Sequence, residues 1–419
     1  MSETEKGTET GTGTVRAATR VLEVHEHRAA LDLFRDSLHM PPVSDADWPV
    51  LEASLEPASV RGAFSGSGSG SGSRLVGVHQ ATASDVVVPG DARVAVELHH
   101  RFAVRNGHTR SGVGRSLMTA ALRSATAPLA MLRASEGGIY GRYGFAVATR
   151  CRELVVDRRR ARLSEHVPAG HHTYAPAAGE IAALLPVAYE GSRGGAGTVS
   201  RPGWYEALLT QDLESAGGFV RAFVHSGPEG EDGFARYAVR RVGGDGPAAR
   251  TVLEVLDMHH GTPQAWAGLW RSLLDVELVD EIRARQRPLD EPVEWLFTDP
   301  HVCRTGAVDD ETWLRLTDVG AALRARRFEG AGTVVIGVED ALLPANSGHY
   351  RVGPETAGGA GSGPQISGSV AAWSALYLGA VRPSALAATG ALRVHDPRAL
   401  KTADELFWAG REPWCGTYI

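Results

Sequence analysis

The sequence has few cysteines and no excess of positive charge. Its 419 residues contain three cysteines, Cys151, Cys303 and Cys415, which are odd in number and too far apart for a disulfide framework or the paired spacing of a zinc site. The formal net charge of -6 argues against a protein held to nucleic acid by neutralising phosphates, so no nucleic-acid partner is expected. These features favour a globular protein of a reducing compartment.

Long apolar runs are also missing. No stretch reaches the roughly 18 consecutive apolar residues that identify a membrane-spanning helix, so no membrane partner is expected. The opening stretch, MSETEKGTETGTGTVRAATR, is polar and lacks the apolar centre of a signal peptide, which predicts a cytoplasmic protein. Residues 1–18 have the composition of a disordered tail.

The chain is too long for a single hydrophobic core. Changes in the pattern of predicted strands and helices along the chain predict domains over 19–165, 166–302 and 303–419. In the first domain, FSGSGSGSGSRL at 64–75 separates strand-like stretches and predicts a hairpin loop. Helices are predicted at HRAALDLFRDSL, VGRSLMTAALRSA and AWAGLWRSLLDVE, and strands at RVAVELHHRFAV, APLAMLRAS, RQRPLDEPVEWLF and GTVVIGVED.

A polar turn with glycines stands between a strand and an amphipathic helix in VRNGHTRSGVGRSLM, residues 104–118. Gly112 and Gly114 allow backbone N–H groups to approach an anion, and the helix dipole favours negative charge at that end. A pyrophosphate is the natural ligand, although an ordinary strand–turn–helix explains the pattern equally well. The turn matches neither the dinucleotide-binding fingerprint nor the phosphate loop that ends in Lys and Ser or Thr.

One helix and one strand later, Tyr140 precedes Gly144 and Phe145 in YGRYGF. The order strand, R-x-G-x-G turn, helix, strand and Y-x-x-x-G-F resembles the GNAT superfamily of N-acetyltransferases. Five further stretches are similar to its Eis (enhanced intracellular survival) family, from about residue 20 to the end: PLAMLRASEGGIYGRYGFAVAT, ELVVDRRRARL, SRPGWYEALL, ALYLGAVRPSALAATGALRV and PWCGTYI. The resemblance implies an α+β fold. A catalytic GNAT domain and a degenerate GNAT-like domain, with mixed sheets flanked by helices, would precede an α/β domain like sterol carrier proteins.

The resemblance also implies an activity and a cofactor. It implies an acetyl-CoA-dependent N-acetyltransferase that acts on primary amines, of aminoglycosides or of lysine side chains, in a ternary complex. Family members assemble as homo-oligomers, commonly hexamers. In the family, two parallel strands splay apart to admit the pantetheine arm of the cofactor. The residues then expected to bind acetyl-CoA are Phe102, Ala103, Val104, Thr109, Arg110, Ser111, Gly112, Gly114, Arg115 and Ser135.

Acetyl transfer to an amine requires a base for the amine, stabilisation of the developing oxyanion and an acid for the departing thiolate. Tyr140 is expected to be the acid, since the tyrosine of this motif lies beside the CoA sulfur in the family; a core tyrosine bonded to backbone is the competing interpretation. The resemblance assigns the base to the C-terminal carboxylate, here on Ile419, and a frayed terminus is the alternative. A backbone N–H near 102–104 is expected to hold the thioester oxygen.

The substrate pocket is expected to contain Asp36, Trp48, Arg101 and Glu136. Arg101 stands where the family tends to place an aromatic residue, and a cation there would repel polycationic aminoglycosides. Two other functions stay open on this evidence: a catalytically impaired binding or lipid-carrier protein, and an acyltransferase that uses another acyl-CoA in natural-product metabolism. Histidines that are adjacent in the sequence point to opposite faces of a strand, so the two members of such a pair cannot bind one ion together, and no metal site is expected.

Overall fold

The computed structural model describes residues 18–56, 59–65, 73–170, 172–215, 219–244 and 249–418. The predicted disordered tail (except its last residue), most of the predicted hairpin loop, and Ile419 lie outside these residues. Contacts divide the chain into two units. The first comprises residues up to Ala81 together with Arg101–Ser124, and the second comprises Thr82–His100 and Ala125–Ile419.

Strands and helices alternate along most of the described chain. The strands are β1 (Ala18–Val21), β2 (Val60–Ser65), β3 (Arg74–Val87), β4 (Arg93–Val104), β5 (Leu129–Leu132), β6 (Ala146–Asp157), β7 (Thr173–Tyr174), β8 (Val220–Gly227), β9 (Gly230–Val242), β10 (Arg250–His260), β11 (Glu281–Arg287), β12 (Cys303–Leu316), β13 (Val334–Glu339), β14 (Gly348–Gly353), β15 (Thr356–Gly359), β16 (Ile366–Ser369) and β17 (Leu392–Val394). The α-helices are α1 (His27–Ser37), α2 (Trp48–Ala53), α3 (Val113–Ser124), α4 (Gly137–Tyr140), α5 (Ile181–Ser192), α6 (Tyr205–Ser215), α7 (Pro263–Asp275), α8 (Val319–Ala325), α9 (Val370–Leu376), α10 (Pro383–Ala388) and α11 (Arg398–Phe407).

The first unit is built on the antiparallel pair β2 and β3, with β1 beside β2. This pairing confirms the hairpin that the glycine–serine stretch predicts. The apolar face of α3 packs Val113 and Leu117 against Ala63 and Val76. Gly77 permits this close approach, because a Cβ there would lie 2.8 Å from Val113 and 2.9 Å from Leu117.

The second unit contains a large mixed sheet in the order β4-β5-β12-β6-β11-β10-β9-β8-β7. Two similar halves contribute to it, since β4 and β5 are parallel strands separated in the chain by α3, and β10 and β11 are parallel strands separated by α7. The last strand of each half pairs with the other half. Strand β6 follows β5 in the chain but pairs with β11, and β12 follows β11 but pairs with β5. One continuous sheet therefore joins the two halves.

The C-terminal part of the second unit forms a separate five-stranded sheet in the order β15-β14-β13-β16-β17. Its core is continuous with that of the large sheet, and Leu98, Met131 and Leu314 belong to the same buried cluster as Ile336 and Trp373. The Trp373 side chain is fully buried, and its indole N–H donates to the carbonyl of Gly337 at 2.9 Å. The apolar side chains of this region thus form a packed interior.

One secondary-structure prediction is wrong. RQRPLDEPVEWLF was expected to be a strand, but β11 ends at Arg287 and a turn and a short 3₁₀ helix, Val293–Leu296, follow it. Pro288 and Pro292 lack the N–H that a strand ladder requires. The predicted domain boundaries remain predictions. The boundary at 302/303 coincides with the start of β12, a strand that pairs with β6 within the large sheet.

Candidate active site

Tyr140 lies at the end of α4 in the motif loop, residues 135–145. Its side chain is 5% exposed and meets the ring of Phe145 edge-on at a centroid distance of 6.4 Å. Burial raises the pKa of Tyr140 above its usual value, and a hydrogen bond with Ser135 opposes that shift without cancelling it. The phenol is therefore protonated at neutral pH and can act as a proton donor. Glu136 and Ser135 are exposed in the same loop.

A buried arginine fixes the end of the motif loop. The Arg315 guanidinium, fully buried at the end of β12, donates to the carbonyl of Tyr143 and, at 2.7 Å, to Asp340 beyond β13. Gly144 leaves room for it: its φ is +88°, and a Cβ there would overlap Nη1 of Arg315. Only glycine adopts this backbone conformation at low cost, which explains the glycine of the Y-x-x-x-G-F pattern.

His99 lies behind the motif loop and stays neutral. Its ring packs edge-on against Phe145 at 5.9 Å and is 3% exposed. Burial, aided by the nearby charge of Arg315, lowers the pKa of His99 to about 4. An uncharged imidazole therefore packs against Phe145.

The expected pyrophosphate turn, residues 105–112, belongs to the first unit. Gly107, Arg110 and Gly112 have φ values of +86°, +60° and +91°, and the Ser111 hydroxyl donates to the carbonyl of His108 at 2.5 Å. The turn leads into the twelve-residue helix α3, whose first turn contains no acidic residue. Thr109, Arg110 and Arg115 are exposed around it. These groups fit a bound pyrophosphate, because the helix dipole and cationic side chains favour the same charge.

Strand β4 becomes irregular just before the expected thioester site. Pairing with β5 joins residues 96–99 to residues 129–132 and ends there, while β4 continues to Val104. Arg101 has a φ of +50° within the strand. Ala103 is buried and Phe102 and Val104 are half-buried, and a Cβ on Gly114 would lie 3.1 Å from the Phe102 ring. Gly114 therefore allows α3 to pack closely against β4.

Arg101 is held within the first unit by neutral partners. Its guanidinium donates to the hydroxyl of Ser54 and to the side-chain oxygen of Gln80, both at 2.7 Å. These acceptors orient the guanidinium. Trp48, with Glu23 and Glu52, lines a surface cavity of about 590 Å³ in the same unit. Asp36 is exposed near the end of α1 and does not line this cavity.

The C-terminal segment, residues 414–418, is anchored through its backbone. The Glu311 carboxylate, 1% exposed, accepts the N–H groups of Cys415 and Gly416 at 3.0 and 2.7 Å. Arg133 lies 4.7 Å from the ring of Tyr418 and donates to the carbonyl of Thr417 at 3.5 Å. Burial raises the pKa of Glu311, although the hydrogen bond from Cys415 and the charge of Arg133 oppose the shift.

A second group of buried polar residues holds Thr417 from the other side. Arg201 forms a bidentate ion pair with Asp257 at 2.8 and 3.0 Å and also donates to the Thr417 hydroxyl at 3.2 Å. The charge of Arg201 keeps the pKa of Asp257 low even though burial acts to raise it. The hydroxyls of Tyr189 and Thr417 lie 3.2 Å apart, and the Tyr205 hydroxyl accepts the N–H of Tyr418 at 3.3 Å. These contacts hold the segment through Thr417 and the backbone N–H of Tyr418.

The structure adds functional candidates that the sequence patterns did not reveal. Arg315 fixes the motif loop, and Glu311, Arg133 and Arg201 fix the C-terminal segment. Glu311 and Arg315 have no motif around them, whereas Arg133 and Arg201 lie in PLAMLRASEGGIYGRYGFAVAT and SRPGWYEALL, stretches in which the resemblance assigned them no role. The described residues include no group of three or more His, Cys, Asp or Glu side chains arranged to hold a metal ion. Nor does any helix among them have the length and apolar character needed to cross a membrane.

Comparison with known proteins agrees with this arrangement. Models of the acetyltransferase (GNAT) domain match residues 18–148 and 197–316, and a sterol carrier protein domain model matches residues 319–416. An uncharacterized N-acetyltransferase of Streptomyces coelicolor is 38% identical over 345 residues, covering 78% of this chain and 82% of that protein. N-acetyltransferase Eis of Mycobacterium tuberculosis is 32% identical over 360 residues, covering 81% and 85%.

Comparison with solved structures also identifies an Eis protein as similar over nearly the whole chain. The crystal structure of Eis1 from Mycobacterium abscessus matches this fold with a TM-score of 0.86 at 32% identity, over 96% of this chain and 100% of that one. The α+β architecture implied by the sequence, with tandem GNAT domains before a sterol-carrier-like domain, is thereby confirmed. The chain belongs to the Eis-like family of GNAT N-acetyltransferases.

Proposed function

We propose that the protein transfers the acetyl group of acetyl-CoA directly to a primary amine, with Tyr140 as the general acid. The observation that carries this assignment is the position of Tyr140, a buried and protonated phenol at the end of α4 in the motif loop. As the amine nitrogen bonds to the acetyl carbon and the carbon–sulfur bond breaks, Tyr140 gives its proton to the departing thiolate. The products are an acetamide and free CoA.

The base is the C-terminal carboxylate of Ile419, which accepts the proton that the amine loses. Ile419 itself lies outside the described residues, and the anchoring of the C-terminal segment up to Tyr418 supports the assignment. A carboxylate carried by an ordered segment can be held within hydrogen-bonding reach of its target, directly or through water. A disordered terminus could not supply that geometry.

The donor is held by the residues expected from the sequence. The turn at 105–112 and the start of α3 bind the pyrophosphate through backbone N–H groups, assisted by Thr109, Arg110, Ser111 and Arg115. Backbone N–H groups at 102–104 hold the thioester oxygen, and Ser135 orients Tyr140. The cationic and dipolar character of the turn supports this role.

The acceptor is a primary amine of a small molecule, such as an aminoglycoside, or of a lysine side chain. The cavity lined by Trp48, Glu23 and Glu52 also contains Arg28, whose guanidinium lies 5.5 Å from the centre of the Trp48 ring, so an acceptor amine would have to compete with this cation for the aromatic face. Arg101 acts against highly charged acceptors, because a positive charge in the acceptor site repels a polycation more strongly than a singly charged amine. We expect Arg101→Gln to lower KM for an aminoglycoside more than for a singly charged amine. Equal effects on both would contradict this role.

The acid assignment is tested with Tyr140→Phe. We expect kcat to fall by about 100-fold or more, since general acid catalysis contributes factors of this size, while acetyl-CoA binding persists. Tyr377→Phe is the matched control, because it removes another buried phenol hydroxyl, one that donates to the carbonyl of Ala322 at 2.9 Å in the C-terminal region. Near-normal turnover of Tyr140→Phe would refute the assignment.

The base and the donor are tested separately. Extension of the chain by Gly-Gly-Ser moves the terminal carboxylate and should reduce kcat sharply without changing the KM for acetyl-CoA. Isothermal titration with acetyl-CoA, propionyl-CoA and CoA then measures donor preference, which we expect to favour acetyl-CoA. Absence of binding by all three would favour an impaired binding protein or lipid carrier. Sedimentation of the same preparation tests the homo-oligomer, a hexamer by family resemblance.

A further inference from the structure

The two halves of the large sheet share one local design. In the first half, parallel pairing of β4 and β5 lasts four residues and ends at His99 and Leu132. In the second half, parallel pairing of β10 and β11 also lasts four residues, from Val252 and Glu281 to Val255 and Ala284. Both β10 and β11 continue beyond that point, to His260 and Arg287, so these two strands part there; in the first half only β4 continues, since β5 ends at Leu132.

The C-terminal segment contacts both diverging ends in the second half. The Trp414 indole N–H donates to the carbonyl of Gln286 on β11 at 2.8 Å. Nε2 of His259 on β10 lies 3.2 Å from the carbonyl oxygen of Gly416, and the His259 and Trp414 rings are 4.7 Å apart. The segment therefore touches β10 on one side and β11 on the other.

In the second half, the position before α7 that corresponds to the pyrophosphate turn before α3 is filled by side chains of the protein itself. The Thr262 side chain caps the helix by accepting the N–H of Ala265 at 3.1 Å, and Pro263 follows it. The Asp232 carboxylate accepts the Thr262 hydroxyl at 2.8 Å and so places a negative charge beside this helix start. A carboxylate there opposes a second anion, because like charges repel at the positive end of a helix dipole.

From this geometry we infer that the diverging ends of β10 and β11 are a binding site for the chain's own C-terminal segment. The segment takes the place that corresponds to the proposed donor site beside β4 and β5. The central GNAT-like domain then binds no CoA and instead positions the terminal residue. The inference rests on the proposed function in two respects, namely the donor site beside β4 and β5 and the terminal carboxylate as the base.

The hydrogen bonds explain how the segment is held so close to its end. The backbone N–H of Trp414 donates to the carbonyl of Ala196 at 2.9 Å. The backbone groups that follow it bond to Glu311, Arg133 and Tyr205, as described above. Fixing successive peptide units removes the conformational freedom that would otherwise scatter the terminal carboxylate. Glu311 contributes directly, because its carboxylate accepts two consecutive N–H groups of the segment. Glu311 is thus a positioning residue.

The first test uses the wild-type protein and needs no substitution. Titration of the full-length chain with CoA should give one bound CoA per chain. Two CoA molecules per chain would overturn the inference, since the second site would then be open to ligand.

The second test uses full-length Glu311→Gln, with Glu281→Gln as the matched control. Glu281, on β11, is a buried carboxylate like Glu311 on β12, but it pairs with Arg283 rather than with the C-terminal segment. Glu311→Gln should speed amide hydrogen exchange at Cys415 and Gly416 by about tenfold or more, lower kcat about tenfold, and leave KM for acetyl-CoA within twofold. Glu281→Gln should change none of these values.

The outcomes separate the two proposals. Faster exchange with unchanged kcat would support the segment's binding site and reject the terminal carboxylate as base. Unchanged exchange in Glu311→Gln would overturn the binding site, whatever the activity. Lower kcat with unchanged exchange would likewise count against it, because the loss would then have another origin.

Discussion

Replacement of Gly144 by alanine should disrupt the motif loop from within. Gly144 has a φ of +88°, which costs an L-residue about 1–2 kcal/mol. A Cβ at this position would overlap Nη1 of Arg315 and lie 2.8 Å from Val370. The fully buried guanidinium would have to move and leave Asp340 without its 2.7 Å partner. Breaking one side of a buried ion pair costs about 3–5 kcal/mol.

Together these costs predict a loss of about 5 kcal/mol in the free energy of unfolding. At about 2 °C per kcal/mol for a large domain, the midpoint of thermal unfolding should fall by about 10 °C. Gly138→Ala is the control in the same loop, because a Cβ there meets nothing within 4 Å and α4 tolerates alanine. That variant should melt within about 1 °C of the wild type.

A double-mutant cycle identifies the mechanism. If Gly144→Ala acts through Arg315, then combining it with Asp340→Asn should destabilise the protein by less than the sum of the two single effects. A Gly144→Ala protein that melts as the Gly138→Ala protein does would refute the reasoning. Strict additivity with Asp340→Asn would show instead that backbone strain alone is responsible.

Three further outcomes are expected. The pKa of His99 is about 4 in the folded protein and about 6.5 in the unfolded chain. The stability that neutral His99 contributes is therefore complete above pH 6.5 and falls by about 3 kcal/mol as the pH drops to 4. Urea unfolding at several pH values should show that the free energy of unfolding of His99→Gln declines less steeply toward low pH. Ser135→Ala removes a hydrogen bond that lowers the pKa of Tyr140, so the alkaline limb of the kcat profile should move to higher pH, and a downward shift would contradict the assignment. Thr262→Ala removes the N-cap of α7 and should cost about 1 kcal/mol in urea unfolding, whereas an unchanged midpoint would show that water replaces the cap.

Local spacing in the sequence determined the elements that need only near neighbours. The glycines of the pyrophosphate turn, the Y-x-x-x-G-F motif and the hairpin around the glycine–serine stretch were predictable, because glycine conformations and strand periodicity act over a few residues. The amphipathic pattern likewise predicted α3 and α7. The same patterns failed after Arg287, where two prolines and the buried pairing of Arg287 with Glu291 end the strand.

Only the tertiary structure decided how distant residues meet. The exchange of β6 and β12 between the two halves depends on sheet pairing that no local pattern encodes. Glu311 accepts N–H groups from Cys415 and Gly416, over a hundred residues further along the chain, and its neighbours in the sequence show no motif. No motif in the sequence marks Arg315, yet its position at the end of β12 and its burial make it the support of the Tyr140 loop. Such contacts depend on which side chains the folded core excludes from water, and that exclusion exists only once the whole chain has packed.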